Sequence, residues 1–448
     1  MIGGKEVNDL LESAFGQIDE TKLTTLVRNL VDIPSTTGEE WDCANFLAEH
    51  MKAIGLEVKF QEISDRRANA IGMLKGQGNG ATLMFNGHLD TARTGIESED
   101  YAALGPVAPG FKPKSYEKRG FIFGLGANNM KGGVAAAVTA IHTISKLGVK
   151  LQGDLIMTGV AGESEKAPVE GALRSYRGAR YQGSGFGSRY LLTHHPLPDY
   201  AVVCEPTSCY VVNAQAGYYF IKITVKGRAA YSATLGPDYK GLSAIEKAYV
   251  IIERLKEWDA QYARRHRYET GMGIIEPHLN IGSIEGGWPY KPSYATAICN
   301  LYADLRVTPA MAPGEALDEL DDALKTLAAN DSQLQYDTEV YCSNVPATVT
   351  NADHYLTRTC LKAREFVTGQ KQETFPSGLA PSTNDSNIFR RLGVPAVTCG
   401  PSGGKVPPDA QSLMEEGERL SKDDLLTATK IYIALILDVC TRKKNEIT

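Results

Sequence analysis

Hydrophobic positions near the start of the chain recur at the spacing of one helix face. Leu10, Leu11, Phe15 and Ile18 share such a face, and similar patterns follow up to residue 54. Farther along, short apolar runs at residues 81–85, 155–161 and 200–204 each end in polar residues. Such runs are typical of buried strands. Strands that alternate with helices predict an α/β domain with a mixed, largely parallel sheet flanked by helices.

The pattern changes near residue 214. Alternating strand-like segments and two amphipathic helices continue to about residue 342, after which the α/β pattern returns. We therefore expect a catalytic domain built from residues 1–213 and 343–448. An α+β lid or dimerisation domain, of ordinary size for one domain, interrupts it at residues 214–342.

Composition narrows the classes of partner. The 448 residues carry 47 basic and 53 acidic side chains, a net charge of −6, with no basic block to hold nucleic acid. No apolar stretch approaches the length of a membrane span. The eight cysteines form no C-x-x-C pair and the start lacks the pattern of a secretory signal. Free thiols of this kind indicate a reducing compartment, and we expect a cytoplasmic protein.

Candidate catalytic groups follow three of the predicted strands. His88 and Asp90 come after the first, Glu163 after the second and Glu205 after the third. Ligands of open α/β sheets bind outside the carboxyl ends of the strands. A histidine and an aspartate two residues apart suit a metal-binding imidazole oriented by a carboxylate, although this pattern alone is more often a polar strand end.

Four motifs together resemble the M20 family of metallopeptidases and amidohydrolases. They are Gly87-His88-Leu89-Asp90, the segment 124–133 (GLGANNMKGG), Gly162-Glu163-Ser164 and Glu205-Pro206-Thr207. The family reads G-H-x-D, G-x-G-x-x-D-M-K-G-G, D-E-E and E-P-T in the same order. The segment 124–133 matches neither of the glycine-rich nucleotide loops. The resemblance runs from about residue 20 to 440, and it implies the family's catalytic domain and lid.

The resemblance implies an unusual metal site. The family's two metals share a bridging aspartate, whose place is taken here by Asn129, and Ser164 stands where a second ligating glutamate belongs. The family's late histidine has no candidate after His354. A neutral amide offers one carbonyl oxygen and no charge, so two cations would repel each other with little compensation.

We therefore expect one weakly bound divalent transition metal, Mn²⁺, Co²⁺ or Zn²⁺, on His88, Asn129 and Glu205. Whether Glu165 replaces the missing glutamate stays open.

The same resemblance implies roles for other residues. Glu163 would be the general base that takes a proton from the attacking water, and Asp90 would hold the His88 ring. Tyr231 stands where the family's lid carries a histidine that reaches a neighbouring subunit's site, which implies a homodimer or a higher homo-oligomer. The candidate substrate-binding residues are Tyr231, Asn280, Arg306 and Asn384. Asn280 and Arg306 match lid positions that bind substrate carboxylates in the family, and the alternative for Arg306 is that it only braces the lid.

The expected function is a metal-dependent hydrolase that cleaves a C–N bond in a small, carboxylate-bearing substrate. One alternative is an aromatic aminohydrolase of the 5-nitroanthranilate type, an activity that the family also contains. A second alternative, from a different class, is a non-catalytic binding protein on a decayed M20 fold.

Overall fold

The computed structural model describes residues 5–171, 182–234, 241–406 and 408–447. The α-helices of these residues are α1 (Lys5–Gly16), α2 (Glu20–Val31), α3 (Trp41–Ala53), α4 (Glu97–Leu104), α5 (Gly132–Lys146), α6 (Phe186–His194), α7 (Ala244–Arg265), α8 (Glu315–Asn330), α9 (Tyr355–Thr368), α10 (Ser386–Arg391) and α11 (Lys422–Cys440).

The strands are β1 (Glu57–Ser64), β2 (Arg67–Leu74), β3 (Leu83–His88), β4 (Tyr116–Lys118), β5 (Phe121–Phe123), β6 (Leu155–Val160), β7 (Tyr200–Val203), β8 (Ala214–Gln215), β9 (Gly217–Lys226), β10 (Ala230–Tyr231), β11 (Tyr268–Glu269), β12 (Ile274–Ile275), β13 (Leu279–Gly286), β14 (Tyr294–Ala295), β15 (Ile298–Val307), β16 (Gln335–Val345), β17 (Thr348–Val349), β18 (Ala396–Thr398) and β19 (Arg419–Ser421).

The central sheet has the strand order β1-β2-β6-β3-β7-β18. The four strands from β6 to β18 run parallel, whereas β2 is antiparallel to both of its neighbours. Every residue of β3 and β6 is buried, because helices cover both faces of a parallel sheet. The predicted mixed, largely parallel sheet flanked by helices is confirmed.

A second, antiparallel sheet has the order β13-β15-β9-β16 and carries helices α7 and α8. These elements have a hydrophobic core of their own, which includes Ile221, Leu255, Leu301 and Leu324. They form the α+β lid. The predicted domain limits at 213/214 and 342/343 stay a prediction.

A close approach of backbone to backbone fixes the start of helix α5. A Cβ atom on Gly133 would lie 2.0 Å from the carbonyl oxygen of Cys204, just beyond strand β7. Only glycine allows helix α5 to begin this near to the sheet, so the loop that precedes the helix lies at the carboxyl edge of the strands.

All eight cysteines are free and buried. Among the described residues, no helix has both the length and the apolar character that crossing a membrane demands.

Candidate active site

Three adjacent strands deliver the candidate ligands. His88 is the last residue of β3, and Glu163 and Glu205 follow β6 and β7 by three and two residues. The three strands are parallel neighbours, so their carboxyl ends meet at one edge of the sheet. The Nε2 atom of His88 lies 3.3 Å from Oε1 of Glu205 and 3.7 Å from Oε2 of Glu163. One ligand atom from each residue lies within 4.8 Å of the others.

Asn129 completes the cluster from the loop before helix α5. Its Oδ1 atom lies 2.7 Å from Nε2 of His88. The backbone N–H groups of Gly126, Asn128 and Asn129 all donate to the carboxylate of Glu418, at 2.9–3.0 Å. Burial raises the pKa of Glu418, and these backbone hydrogen bonds act against that rise. Sequence reasoning missed Glu418, which holds the Asn129 loop in place.

Asp90 organises the backbone on the other side of His88. Its carboxylate accepts hydrogen bonds from the N–H groups of Glu163 (2.9 Å) and Ser164 (3.2 Å) and from the hydroxyl of Thr37 (2.8 Å). The Nδ1 atom of His88 lies 2.8 Å from the backbone oxygen of Asp90 and 3.5 Å from its Oδ1. The nearer hydrogen-bond acceptor for the ring is therefore the carbonyl rather than the predicted carboxylate.

The charges of the cluster depend on one another. Burial alone would lower the pKa of His88, but the carboxylates of Glu205 and Asp90 raise it well above its usual value. An imidazolium donates from both nitrogens, to the Asp90 carbonyl and to Asn129. Burial and then the charge of Glu205 raise the pKa of Glu163 well above its usual value. For Asp90, the bonds from His88, Glu163 and Thr37 outweigh burial and lower the pKa far below normal.

Arg306 reaches from strand β15 of the lid to the segment after Glu163. Its Nη1 and Nη2 atoms donate to the two carboxylate oxygens of Glu165, at 2.7 and 2.5 Å. Its Nε and Nη2 atoms also donate to Asp304, at 2.9 and 2.7 Å, and Nη1 donates to the hydroxyl of Thr383 at 3.0 Å. Glu165 is thus bound to Arg306 in this structure and is not placed as a replacement metal ligand.

A cavity of about 990 Å³ opens over the cluster, between the central sheet and the lid. His88, Asn129 and Glu163 line it from one side and Arg306 lines it from the other. That volume is at the upper end of the usual range for small-molecule sites.

The other candidate substrate-binding residues lie elsewhere. Asn280 faces a separate surface groove of the lid, and Tyr231 is exposed and packs against Tyr294. Asn384 is buried, and its amide bonds to Ser386 and Thr398. It lines a small void behind Glu163. The structure therefore brings only Arg306 of these four residues into the cavity.

The fold and the cluster are those of a metal-dependent hydrolase, and sequence comparison agrees. Residues 84–438 match the model of peptidase family M20/M25/M40, so the chain belongs to this family. The predicted family membership and the predicted metal-dependent hydrolase are confirmed.

Relatives within the family act on C–N bonds. The N-formyl-4-amino-5-aminomethyl-2-methylpyrimidine deformylase of Bacillus subtilis (strain 168) is 24% identical over 427 residues, covering 90% of each chain. A tripeptidase structure from Staphylococcus aureus has a TM-score of 0.68 at 20% identity, over 94% of this chain and 98% of that one. A dinuclear metal binding M20 peptidase structure from Bacillus subtilis has a TM-score of 0.60 at 13% identity, over 94% and 99%. The two structures show a shared fold.

Proposed function

We propose that this chain hydrolyses the C–N bond of an amide in a small, carboxylate-bearing substrate. The observation that carries the proposal is the convergence of His88, Asn129, Glu163 and Glu205 at the carboxyl edge of the sheet, under the cavity. The hydrolase class of the family supports the same reaction.

The donor set fits a divalent transition metal. One imidazole nitrogen, one amide oxygen and the Glu205 carboxylate are ligands that Mn²⁺, Co²⁺ and Zn²⁺ accept. The ion would act as a Lewis acid that lowers the pKa of a water molecule at the site. The bond between Nδ1 of His88 and the Asp90 carbonyl turns Nε2 towards these ligands.

The proposal includes one weakly held metal ion. Ser164 stands where the resemblance implies a second ligating carboxylate, and its N–H donates to Asp90. Among the described residues, the other group able to hold a metal is His266, Glu315 and Glu319, which lies in the lid. Beside His88, the described residues therefore offer no second group of three potential metal ligands. Binding should be weak because the ligands carry little negative charge.

The proposed general base is Glu163. Its carboxylate faces the cluster, and burial and the charge of Glu205 raise its pKa above the usual value, which suits a group that takes a proton from water and returns it to the leaving nitrogen. Asp90 holds the backbone of Glu163, and therefore the direction of its side chain, through the bond to its N–H group.

The proposal extends to a homodimer through the lid. Strand β13 is an edge of the lid sheet, and Ile284, Trp288 and Tyr290 near it are 54%, 58% and 89% exposed. A second copy that covers this edge could bring its Asn280 and Tyr231 to the cavity. The buried free thiols are consistent with a reducing compartment, and we include the cytoplasm in the proposal.

The test compares Glu163→Gln with Glu276→Gln, since both residues line the cavity but Glu276 lies at its lid side. Protein loaded with Mn²⁺, Co²⁺ or Zn²⁺ is assayed for amine or ammonia release from N-acyl amino acids, dipeptides and amino-aromatic acids. Glu163→Gln should bind metal in calorimetry but lose turnover, whereas Glu276→Gln should keep turnover. Unchanged turnover in Glu163→Gln would refute the general-base role. If amino-aromatic acids are the only substrates and they release ammonia, the aminohydrolase alternative is favoured. If the protein binds no metal, the non-catalytic alternative is favoured.

A further inference from the structure

Among the described residues, two arginines line the cavity, and they differ in how many of their N–H donors are used. A guanidinium group has five N–H donors. In Arg306 all five are taken: Nε and one Nη2 hydrogen by Asp304, the other Nη2 hydrogen and one Nη1 hydrogen by Glu165, and the last by Thr383. The ring of Tyr218 covers one face of the group at 5.2 Å. Arg306 therefore has no N–H donor left for a substrate.

The N–H donors of Arg93, by contrast, have no partner among the described residues. Its guanidinium lies over the ring of Phe111 at 4.6 Å, and both residues line the cavity. Throughout residues 5–171, 182–234, 241–406 and 408–447, no acceptor and no carboxylate is paired with this guanidinium. The edge of the group that carries its N–H donors is available to a ligand.

The loop that carries Arg93 is fixed in place. The backbone oxygen of Arg93 accepts hydrogen bonds from the hydroxyls of Thr91 (2.8 Å) and Thr36 (3.3 Å). The loop leaves strand β3 directly after His88 and Asp90, so it starts at the candidate metal ligand. A stacked guanidinium on a held backbone is oriented before a ligand arrives, which lowers the entropy cost of binding.

The other charged side chains that line the cavity are mainly acidic, and this favours a cation with free donors as the partner of an anionic substrate. Glu163, Glu165, Glu276 and Glu418 also line the cavity, and no lysine does so among the described residues. A carboxylate that enters this acidic space is stabilised by a cation whose donors are not already bound to acids.

We infer that Arg93 binds the carboxylate of the substrate, through the paired N–H groups of its guanidinium edge. The inference rests on the proposed function, and it assigns to Arg93 the anion-binding role that the sequence suggested for Arg306. Arg306 then joins the lid to the segment of Glu165 and does not contact substrate.

The test measures binding rather than turnover, so that it stands apart from the test of the reaction. Calorimetry uses full-length Glu163→Gln protein loaded with Zn²⁺ or Mn²⁺, with two matched probe pairs: N-acetylglycine against N-acetylglycinamide, and benzoate against benzamide. The Glu163→Gln protein, which serves as the background, should bind each carboxylate more tightly than its matched carboxamide. Adding Arg93→Ala should weaken carboxylate binding by about tenfold to a hundredfold and leave the carboxamides unchanged. Arg93→Lys should restore part of the preference, because it keeps the charge without the paired donors.

Two control variants identify the group responsible. Arg358→Ala removes an exposed arginine of helix α9 and should change nothing. Arg306→Lys keeps a cation beside Glu165 and should retain the carboxylate preference. The inference is overturned if Arg93→Ala leaves the preference intact, if it weakens acids and amides equally, or if the background shows no preference. It is also overturned if the preference is lost in Arg306→Lys alone. If no substrate is turned over in any assay while Arg93→Ala still weakens carboxylate binding, the proposed reaction is refuted and the inference about Arg93 stands.

Discussion

Replacing Asp90 by asparagine should destabilise the protein and impair turnover. The carboxylate is 1% exposed, with Oδ1 accepting from the N–H of Glu163 and Oδ2 from the N–H of Ser164 and the hydroxyl of Thr37. An amide has one accepting oxygen, so whichever way it turns, one of the two backbone N–H groups loses its acceptor. The Thr37 hydroxyl can instead donate to the carbonyl of Thr91, 3.3 Å away.

The magnitude follows from these bonds. A buried N–H group without a partner costs about 1–3 kcal/mol, and the bond that remains weakens by roughly 1 kcal/mol when its acceptor loses its charge. Asp90→Asn should therefore lower the free energy of unfolding by about 2–4 kcal/mol. The pKa of Asp90 lies well below its usual value, so its stabilisation is present above a pH of about 4 and is lost as the pH falls further.

Urea unfolding of the metal-free protein at pH 7 and turnover of the metal-loaded protein measure the two effects. Asp154→Asn is the matched control, since Asp154 also accepts a backbone N–H, from Gly76 at 2.9 Å, but is 24% exposed. Its amide can be solvated, so we expect a loss of roughly 1 kcal/mol or less. Equal destabilisation by the two substitutions, or full turnover in Asp90→Asn, would refute the reasoning.

Three further predictions concern pH, packing and metal. Burial raises the pKa of Asp385 to about 7, against the Ser188 hydrogen bond, so stability should fall as the pH rises from about 4 to 7. Asp385→Asn should remove that fall. In urea unfolding it should raise the free energy of unfolding by up to about 4 kcal/mol at pH 8 and by less at pH 5. An equal increase at the two pH values would contradict this prediction. Gly133→Ala should lower the melting temperature because its Cβ meets the Cys204 carbonyl, whereas Gly16→Ala, with open space, should not. Chelation should abolish turnover, and one metal ion per chain, measured by elemental analysis, should restore it; two would contradict the single-ion site.

The central part of the site was predictable because it depends on local pattern and on sheet topology. The apolar runs before His88, Glu163 and Glu205 marked three strands, and parallel strands place their carboxyl ends side by side. Both steps need only the order of hydrophobic and polar residues. In the structure one potential ligand atom of each of the three side chains lies within 4.8 Å of the others, whereas their binding of an ion stays a prediction.

Contacts between distant segments were not predictable in the same way. Nothing local marks Glu165 as the partner of Arg306, because the two residues lie 141 positions apart, one in a loop after β6 and the other in strand β15. The sequence therefore left two roles open for Arg306, binding of a substrate carboxylate and bracing of the lid. Arg93 lies outside the quoted motifs, so no sequence pattern singled it out. Its position in the cavity and the absence of a hydrogen-bond acceptor for it in the described part of the chain distinguish it.

The bonds from Glu418 to the loop at residues 126–129 have a consequence for synthesis of the protein. Glu418 lies 289 residues after Asn129, so its codon is translated long after the loop has left the ribosome. At about 5–20 residues per second, the loop waits roughly 15–60 s for this partner. The nascent chain thus acquires its strands and His88 early, but a complete binding site only near the end of translation.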